Sequence, residues 1–325
     1  MDNNRQKGHI VQKWEKLGLI FDPTNRYDWM QTHAQLPVVI PLTTGCCDDM
    51  HNCLYRIYFA TRDDQQRSQV GFVDIDINNP KEIQNISEKP VLEFGEIGYF
   101  DEHGVYPSSI IEVDGKLYMY YIGWNKGAEY PMFYASIGLA ISEDGGNTFT
   151  KYSKAPIMSR SEHDPWMVTA PFVFKDGGIY RMYYVSGLDW KTNTQGKLTS
   201  KYHVKYAHSS DGINWIREGN VAVDFKSESE TNIAKSFVLK ENNIYKAWFP
   251  YVDVNPYRIG YGESEDGITF KRKDEEVLFI NDDLIIFDKE MQCYPYLFKN
   301  KSKVFMAYNG NNYGYAGFGL AALDS

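Results

Sequence analysis

The stretch "ISEDGGNTF" at residues 141–149 occurs twice more in altered form, as "HSSDGINWI" at 208–216 and "ESEDGITFK" at 263–271. Each copy contains Ser-x-Asp-Gly and then an aromatic residue three or four positions later. Asp-Gly pairs are typical of hairpin turns, because Asp hydrogen-bonds to its own turn and Gly tolerates a positive φ. We therefore interpret the element as a structural turn that marks the same point of a repeated unit.

The rest of the unit repeats as well. A short apolar strand comes first, an aromatic strand such as "LYMYYIGW" (117–124) second, and a Gly/Ala-rich strand such as "SIGLAISE" (136–143) third, before the Asp-Gly turn and a last strand. The first strands recur about every 60 to 70 residues, near Pro37, Pro107, Pro171, Ser236 and Pro295. Five units of four short strands predict an all-β fold, a five-bladed β-propeller with four-stranded antiparallel blades. An irregular β-sandwich is the alternative.

The two ends of the chain complement one another. The fifth unit stops after its third strand, "AGFGLAAL" (316–323), whereas "EKLGLIFD" (15–22) resembles the fourth strands of the other units. We expect residues 15–22 to complete the last blade and so cover an otherwise exposed strand edge. Residues 1–13 are expected to form a short helix or to be disordered, and 1–325 to be a single domain.

Composition excludes some classes of partner. The net charge of −9 and the pI near 5.3 argue against nucleic-acid binding, which needs a basic surface. No 18-residue apolar run and no signal-like segment are visible, so we expect no membrane association. The four cysteines do not form a disulfide framework, which favours a reducing, cytoplasmic location; they are Cys46, Cys47, Cys53 and Cys293. Monomer and dimer remain open.

Polar residues gather just before each first strand, where the strands of a propeller converge on its axis. These segments differ from one another, unlike the rest of the unit, and contain carboxylates and histidines. Converging carboxylates raise one pKa and leave another group ionised, which is the division of labour that glycoside cleavage requires.

The repeat pattern resembles the five-bladed propeller glycosidase superfamily, which includes arabinanases, β-xylosidases, invertases and levansucrases, with mannoside phosphorylases nearby. The turns resemble the Asp-box of sialidase-type propellers. This resemblance implies catalysis by carboxylates from the first strands of successive blades. The chain departs from the family pattern in blade one, where "THAQLP" (32–37) offers His33 and Gln35 but no carboxylate.

Several residues are candidates for catalysis. Asp164 precedes Pro165, and Glu102 and Glu290 each lie five positions before the proline of a first strand. The predicted catalytic set is Asp164, Glu102, Glu290, His33, Asp101 and His103. An ordinary turn aspartate, exposed rim charges and a structural histidine are the alternatives at these positions.

Aromatic and amide side chains near the same face are candidates for binding sugar rings, which stack on aromatic residues. The predicted substrate-binding set is Trp124, Asn125, Trp166, Trp190, Asn309, Asn311, Glu162 and Gln35. Packing between blades is the alternative role for the aromatic members.

The sequence predicts no cofactor. The segment "CCDDMHNC" (46–53) lacks the paired spacing of a structural zinc site, and no Gly-rich phosphate loop is present. A single structural Ca or Na ion on the axis stays open. We therefore expect a glycoside hydrolase-like enzyme that acts on an oligosaccharide or glycoside ligand. The alternative is a propeller that binds sugar without catalysis.

Overall fold

The computed structural model describes residues 11–42, 53–193, 195–280 and 286–323. Residues 43–52, which include most of the cysteine-rich segment, lie outside the described residues. The strands are β1 (Gln12–Phe21), β2 (Thr32–Pro41), β3 (Leu54–Arg62), β4 (Ser68–Asp76), β5 (Ile83–Ile86), β6 (Gly104–Val113), β7 (Lys116–Lys126), β8 (Phe133–Ser142), β9 (Thr150–Lys151), β10 (Val168–Asp176), β11 (Ile179–Thr192), β12 (Leu198–Ser209), β13 (Val221–Val223), β14 (Asn232–Ile233), β15 (Phe237–Glu241), β16 (Ile244–Val252), β17 (Arg258–Ser264), β18 (Lys271–Arg272), β19 (Val277–Ile280), β20 (Cys293–Asn300), β21 (Lys303–Asn309) and β22 (Phe318–Leu323). A 3₁₀ turn spans Asp274–Glu276, and one short helix, α1, spans Asn311–Gly314.

Within the described residues, these strands group into five units of successive antiparallel partners. Unit one is β2 to β5, unit two is β6 to β9, and unit three is β10 to β13. In unit four the first strand is split into β14 and β15, which both pair with β16, and β17 and β18 follow. Unit five contains β20, β21 and β22.

The N-terminal strand β1 joins unit five. It pairs antiparallel with β22, from Trp14 opposite Leu323 to Phe21 opposite Phe318. Its other edge pairs in parallel with β19. The strand begins at Gln12, so the expectation of a helix or disorder up to residue 13 is wrong for its last two residues, and residues 1–10 lie outside the described part of the chain.

The Asp-Gly turns are stabilised by their own side chains. Asp144 accepts hydrogen bonds from the Ser142 hydroxyl at 2.7 Å and from the backbone N–H groups of Asn147 and Thr148 at 3.0 Å. Burial opposes ionisation, but the hydrogen bonds from Thr148 and Ser142 lower the pKa of Asp144 to about 2. The other two turns make the same kind of bonds through Asp211 and Asp266.

Each of these turns also receives a tyrosine from the preceding unit. The hydroxyl of Tyr58 donates to the Gly146 carbonyl at 2.8 Å, so unit one contacts the turn of unit two. The equivalent bonds join units two to three and three to four, from Tyr120 to Gly212 at 2.9 Å and from Tyr183 to Gly267 at 2.6 Å. The repeated sequence therefore provides both the hairpin and a contact between neighbouring units.

Aromatic side chains fill the space between the first strands. Phe172, Phe237 and Tyr296 come from units three, four and five, and their ring centroids lie 4.7 to 6.2 Å apart. In the described residues no helix has the length and apolar character needed to cross a membrane.

Candidate functional site

A β-bulge interrupts the first strand near its start in units one, three and five. The bulge falls at Leu36–Pro37, Ala170–Pro171 and Tyr294–Pro295, and the residue before each proline has a positive φ of 48° to 55°. Proline cannot donate to the strand ladder, so the pairing shifts there. In unit two the shift lies between Pro107 and Ser109. The residues that precede these bulges are thereby redirected relative to the rest of the strand.

Side chains from units one and two meet beside the bulges. Arg62, at the end of β3, donates from Nη2 to the Tyr106 hydroxyl at 2.9 Å and from Nε to the Gln35 Oε1 at 3.3 Å. We call the group formed by His33, Gln35, Arg62, Tyr106 and Tyr294 the axial mouth, because each lies on a first strand or directly beside one.

His33 is a neutral member of the axial mouth. Its ring packs edge-on against Tyr315 with centroids 5.1 Å apart, and its Nδ1 lies 2.8 Å from the Thr32 hydroxyl. Burial and the nearby charge of Arg62 lower the pKa of His33 to about 4. The imidazole is therefore uncharged at neutral pH.

Tyrosines from units three, four and five complete this region. Tyr257 lies with its ring centroid 6.3 Å from that of Tyr294 and 6.2 Å from that of Tyr313, and its hydroxyl is hydrogen-bonded to that of Tyr202. After burial, the neighbouring Cys293, Tyr202, Tyr313 and Tyr106 contribute to the raised pKa of Tyr294. Burial raises the pKa of Tyr257 and Tyr294 well above the usual value, so both are neutral phenols.

Asp164 is fully buried in a network of internal partners. Its carboxylate accepts hydrogen bonds from Ser186 at 2.7 Å, Tyr184 at 3.1 Å and Arg217 at 3.0 Å, and Lys205 lies 3.4 Å away. No part of the side chain is exposed to a ligand. The geometry favours a structural role for this residue over the predicted catalytic role.

Asp101 has the same environment in unit two. It accepts from the Tyr121 hydroxyl at 3.1 Å, pairs with Lys151 at 2.6 Å and is 1% exposed. A third copy in unit five, Asp288, accepts from Tyr308 at 2.9 Å and pairs with Lys16 of β1 at 2.8 Å. In all three cases the tyrosine follows the aspartate by 20 residues. We call these three arrangements the Asp–Tyr locks.

Glu102, next to Asp101, is only partly buried. It accepts hydrogen bonds from the Gly98 N–H at 2.6 Å and from the Asn125 amide at 2.9 Å, and the His103 ring lies 3.3 Å away. The bonds from Gly98 and Asn125 lower the pKa of Glu102, so it is ionised at neutral pH. Gly104, two residues on, pairs with Ser68, which lies opposite Arg62 in the pairing of β3 with β4. Glu102 therefore lies in the segment that leads directly into Tyr106 of the axial mouth.

Glu290 is exposed on the corresponding segment of unit five. Its backbone N–H donates to the Asn311 Oδ1 at 2.8 Å, and its carbonyl accepts from Arg258. Among the described residues its carboxylate makes no hydrogen bond or ion pair, so it is free to meet a ligand.

The two predicted asparagines of unit five hold the backbone in place. Asn309 is fully buried, accepts from the Leu36 N–H at 2.8 Å and donates to the carbonyls of Ala34 and Gly317. It therefore ties unit five to unit one. Asn311 accepts from two backbone N–H groups before β20. Both amides are occupied by the backbone, which favours a structural role.

The predicted aromatic residues are spread over units two and three. Trp124 donates from its indole nitrogen to the Ser68 hydroxyl at 2.9 Å, and Trp190 packs edge-on against Phe133 with centroids 5.5 Å apart. Trp166 is 40% exposed and lies nearer to solvent. Glu162, with its neighbour His163, is directed to solvent. These positions stay predictions as parts of a sugar cleft.

Sequence reasoning missed three features of this region. Arg62 ends a strand and carries no motif, and Tyr294 has no sequence signal beyond its place in a first strand. Lys235, in the break between β14 and β15, is fully buried with no hydrogen-bond partner for its Nζ among the described residues, above the ring of Tyr296. Burial lowers the pKa of Lys235 to about 7. The available signal was a lysine at the point where other first strands have the residue before proline.

The described residues contain no group of three His, Cys, Asp or Glu side chains placed to hold a metal ion. The segment at 46–53 is described only at Cys53, which is buried.

Several solved structures have a fold similar to that of this chain. BT0996, solved as an RGII complex, has a TM-score of 0.71 at 17% identity, with 97% of this chain and 93% of the BT0996 chain covered. A glycosyl hydrolase from Bacteroides ovatus has a TM-score of 0.66 at 14% identity, covering 96% and 94%. A thermostable family-43 glycoside hydrolase has 0.59 at 17% identity, covering 93% and 91%. The chain shares its fold with these solved proteins, among them glycoside hydrolases.

Sequence comparison defines the family more narrowly. Rv1502 of Mycobacterium tuberculosis, described as an uncharacterized protein, is 35% identical over 96% of this chain and 99% of its own length. The chain belongs to the same family as Rv1502. The 1,2-beta-oligomannan phosphorylase of Thermoanaerobacter is 26% identical over 43% of this chain and 45% of its own length. No protein-family model matches the chain.

Proposed function

We propose that this protein is a carbohydrate-active enzyme that cleaves or transfers a glycosidic bond in an oligosaccharide or glycoside bound at the axial mouth. The observation that carries the proposal is the meeting of units one, two and five there, through the contacts of Arg62 with Tyr106 and of His33 with Tyr315. The likeness to propeller glycoside hydrolases and the partial similarity to a mannan phosphorylase support it.

We also propose that the scaffold is a five-bladed β-propeller. Units one to five are then its blades, and β1 closes the ring as the fourth strand of the last blade. In support, β2 contacts both β6 and β20, β10 contacts β6, and β15 contacts β20, as expected for first strands arranged around one axis. The Asp-Gly turns then correspond to Asp-box turns between the third and fourth strands.

Two exposed carboxylates are our candidates for the chemistry. Glu102, ionised and beside His103, suits a general base or nucleophile. Glu290, which has no internal partner for its carboxylate among the described residues, is the second candidate carboxylate. The carboxylates of the Asp–Tyr locks, in contrast, are buried. We therefore move the catalytic hypothesis from Asp101 and Asp164 to Glu102, which is next to Asp101, and Glu290, which lies two residues after Asp288.

The test is a screen of the purified protein on aryl-glycosides and oligosaccharides, with and without inorganic phosphate. Glu102→Gln and Glu290→Gln are expected to lower turnover about 100-fold or more, as for loss of a general acid or base. Glu143→Gln, an exposed glutamate of an Asp-Gly turn, is the matched control and leaves turnover unchanged. Unchanged turnover in both test variants would refute the assignment of these carboxylates.

The second candidate function is sugar binding without catalysis. It is favoured by one observation: the start of β2 offers His33 and Gln35 where the resembling glycosidases carry a carboxylate. Measurable binding of a glycan with no turnover of any substrate would favour this function over the enzyme. The cytoplasmic location stays a prediction that cell fractionation can check.

A further inference from the structure

Two arginines of the same strand differ in their partners. Arg56, on β3, forms a two-point ion pair with Asp74, with N–O distances of 2.7 and 2.9 Å. Arg62, six residues further along β3, has no carboxylate partner among the described residues; it donates only to the neutral Gln35 and Tyr106. A half-buried guanidinium next to neutral groups has unused charge and unused donors.

The surroundings of Arg62 offer few competing anions. Its Nη1 makes no hydrogen bond within the described residues, and His33, the nearest titratable neighbour on β2, is held neutral. Tyr106 accepts its bond from Arg62, so its own O–H is free to donate elsewhere. The axial mouth is therefore rich in donors and locally positive, in a protein whose net charge is −9.

We propose that the axial mouth recognises an anionic substituent, a carboxylate or a phosphate, on the sugar that it binds, and that Arg62 is the residue that selects it. The planar guanidinium presents paired N–H groups that match either oxyanion. Gln35 and the Tyr106 oxygen hold the guanidinium in place through Nε and Nη2, which leaves Nη1 to point at the ligand. This inference rests on the proposed function, because it assumes that the mouth binds a sugar.

Calorimetry on the full chain tests the proposal with matched pairs of ligands. Glucuronic acid is compared with glucose and galacturonic acid with galactose, while mannose 6-phosphate and mannose test the phosphate form. Inorganic phosphate is tested alone. We expect at least one acidic sugar to bind more tightly than its neutral counterpart, by about tenfold to hundredfold for a charged two-point contact.

Variants assign the preference to Arg62. Arg62→Gln should remove the preference, because it lowers the affinity for the acidic sugar more than the affinity for the neutral sugar. Arg62→Lys, which retains the charge but loses the paired donors, should retain part of the preference. Arg160→Gln is the control, since Arg160 is exposed and packs on Tyr134 without an ion pair among the described residues. Circular dichroism establishes that each variant is folded.

The His33 ring gives a readout that does not depend on turnover. In an NMR titration, a bound acidic sugar should raise the pKa of His33 from about 4, because the anion offsets the charge of Arg62. In Arg62→Gln the same ligand should cause no such change.

The outcomes separate this inference from the proposed function. Equal binding of acidic and neutral sugars, or an equal loss of both in Arg62→Gln, overturns the inference but leaves a sugar site. Binding of inorganic phosphate alone at Arg62, with no preference for acidic sugars, also overturns it. If the chain binds no sugar of either kind, both the inference and the proposed function fail.

Discussion

Unit one differs from units two, three and five at the same structural position. The latter three each have an Asp–Tyr lock, with the tyrosine on the second strand opposite the bulge. In unit one that position is Phe59, which is fully buried and has no hydroxyl, and no aspartate precedes β2 at the corresponding place. Unit one, which lacks the lock, provides His33 and Arg62 to the axial mouth.

The comparison indicates what repetition means in this chain. A carboxylate that recurs with a fixed tyrosine partner and a cation anchors the segment before a first strand to its own unit. Unit one, which has no such carboxylate, has polar groups free to face a ligand. Unit four is an intermediate case, with Phe249 on its second strand and an ion pair between Glu230 and Arg272.

Removing a lock should give the largest effect. Asp164→Asn leaves Arg217 and Lys205 without their carboxylate in a buried site. Breaking one partner of a buried charge network costs about 3–5 kcal/mol. Chemical denaturation should show a loss of this size in the free energy of unfolding. A loss well short of this range, comparable to that of a surface substitution, would contradict the structural role of the lock.

Lys235 tests the opposite situation, a buried charge without a hydrogen-bond partner among the described residues. Lys235→Met should raise the free energy of unfolding at neutral pH by about 1–3 kcal/mol, since replacing a buried ion by an apolar side chain of similar size is often stabilising.

The pH dependence gives the sign of this effect. The pKa of Lys235 is about 7 in the folded chain against the ordinary 10.5. Between these values the unfolded chain binds the extra proton, so the wild-type stability rises as the pH increases from about 7 towards 10.5. Lys235→Met should lose this rise. Parallel stability–pH curves for the two proteins would show that the lysine is not buried as described.

Converting unit one towards a lock should be unfavourable. Phe59→Tyr adds a hydroxyl at a fully buried position. Among the described residues no aspartate is placed there to accept a hydrogen bond from it. An unsatisfied buried hydroxyl costs about 1–3 kcal/mol. Thermal unfolding measures the change, with Phe59→Leu as the comparison for altered packing. A neutral or stabilising Phe59→Tyr would indicate that another acceptor is present.

The smallest effect on stability is expected for Glu102→Gln. Its carboxylate is partly exposed and accepts from Gly98 and Asn125, bonds that a glutamine oxygen can retain in part. The free energy of unfolding should change by less than about 0.5 kcal/mol, as for other surface positions. A large loss would place Glu102 with the scaffold rather than with the site.

Much of the fold could be predicted from the sequence, because its signals are local. The Asp-Gly turns and the prolines of the first strands each determine a backbone conformation within a few residues. The distinction between Asp101 and Glu102 is not local. It depends on Tyr121, 20 residues away, and on Lys151 in the fourth strand. Of the two adjacent carboxylates, the one that faces these partners is structural and the other is left for the site.

The internal role of Asp101 could in part have been recognised from the sequence. The 20-residue interval between aspartate and tyrosine is visible in three units. The role proposed for Arg62 could not be predicted from the sequence. The lack of an ion-pair partner is a property of the folded surroundings and leaves no pattern in the sequence.

The pairing of β1 with β22 has a consequence for biosynthesis. β1 emerges from the ribosome long before its antiparallel partner, Phe318–Leu323, is translated. The ion pair of Lys16 with Asp288 likewise forms only after Asp288 has been translated. During synthesis β1 therefore remains unpaired with β22 until that strand is made. Contacts of such large sequence separation slow folding. A nascent chain released before residue 318 would expose an unpaired strand, a typical starting point for aggregation.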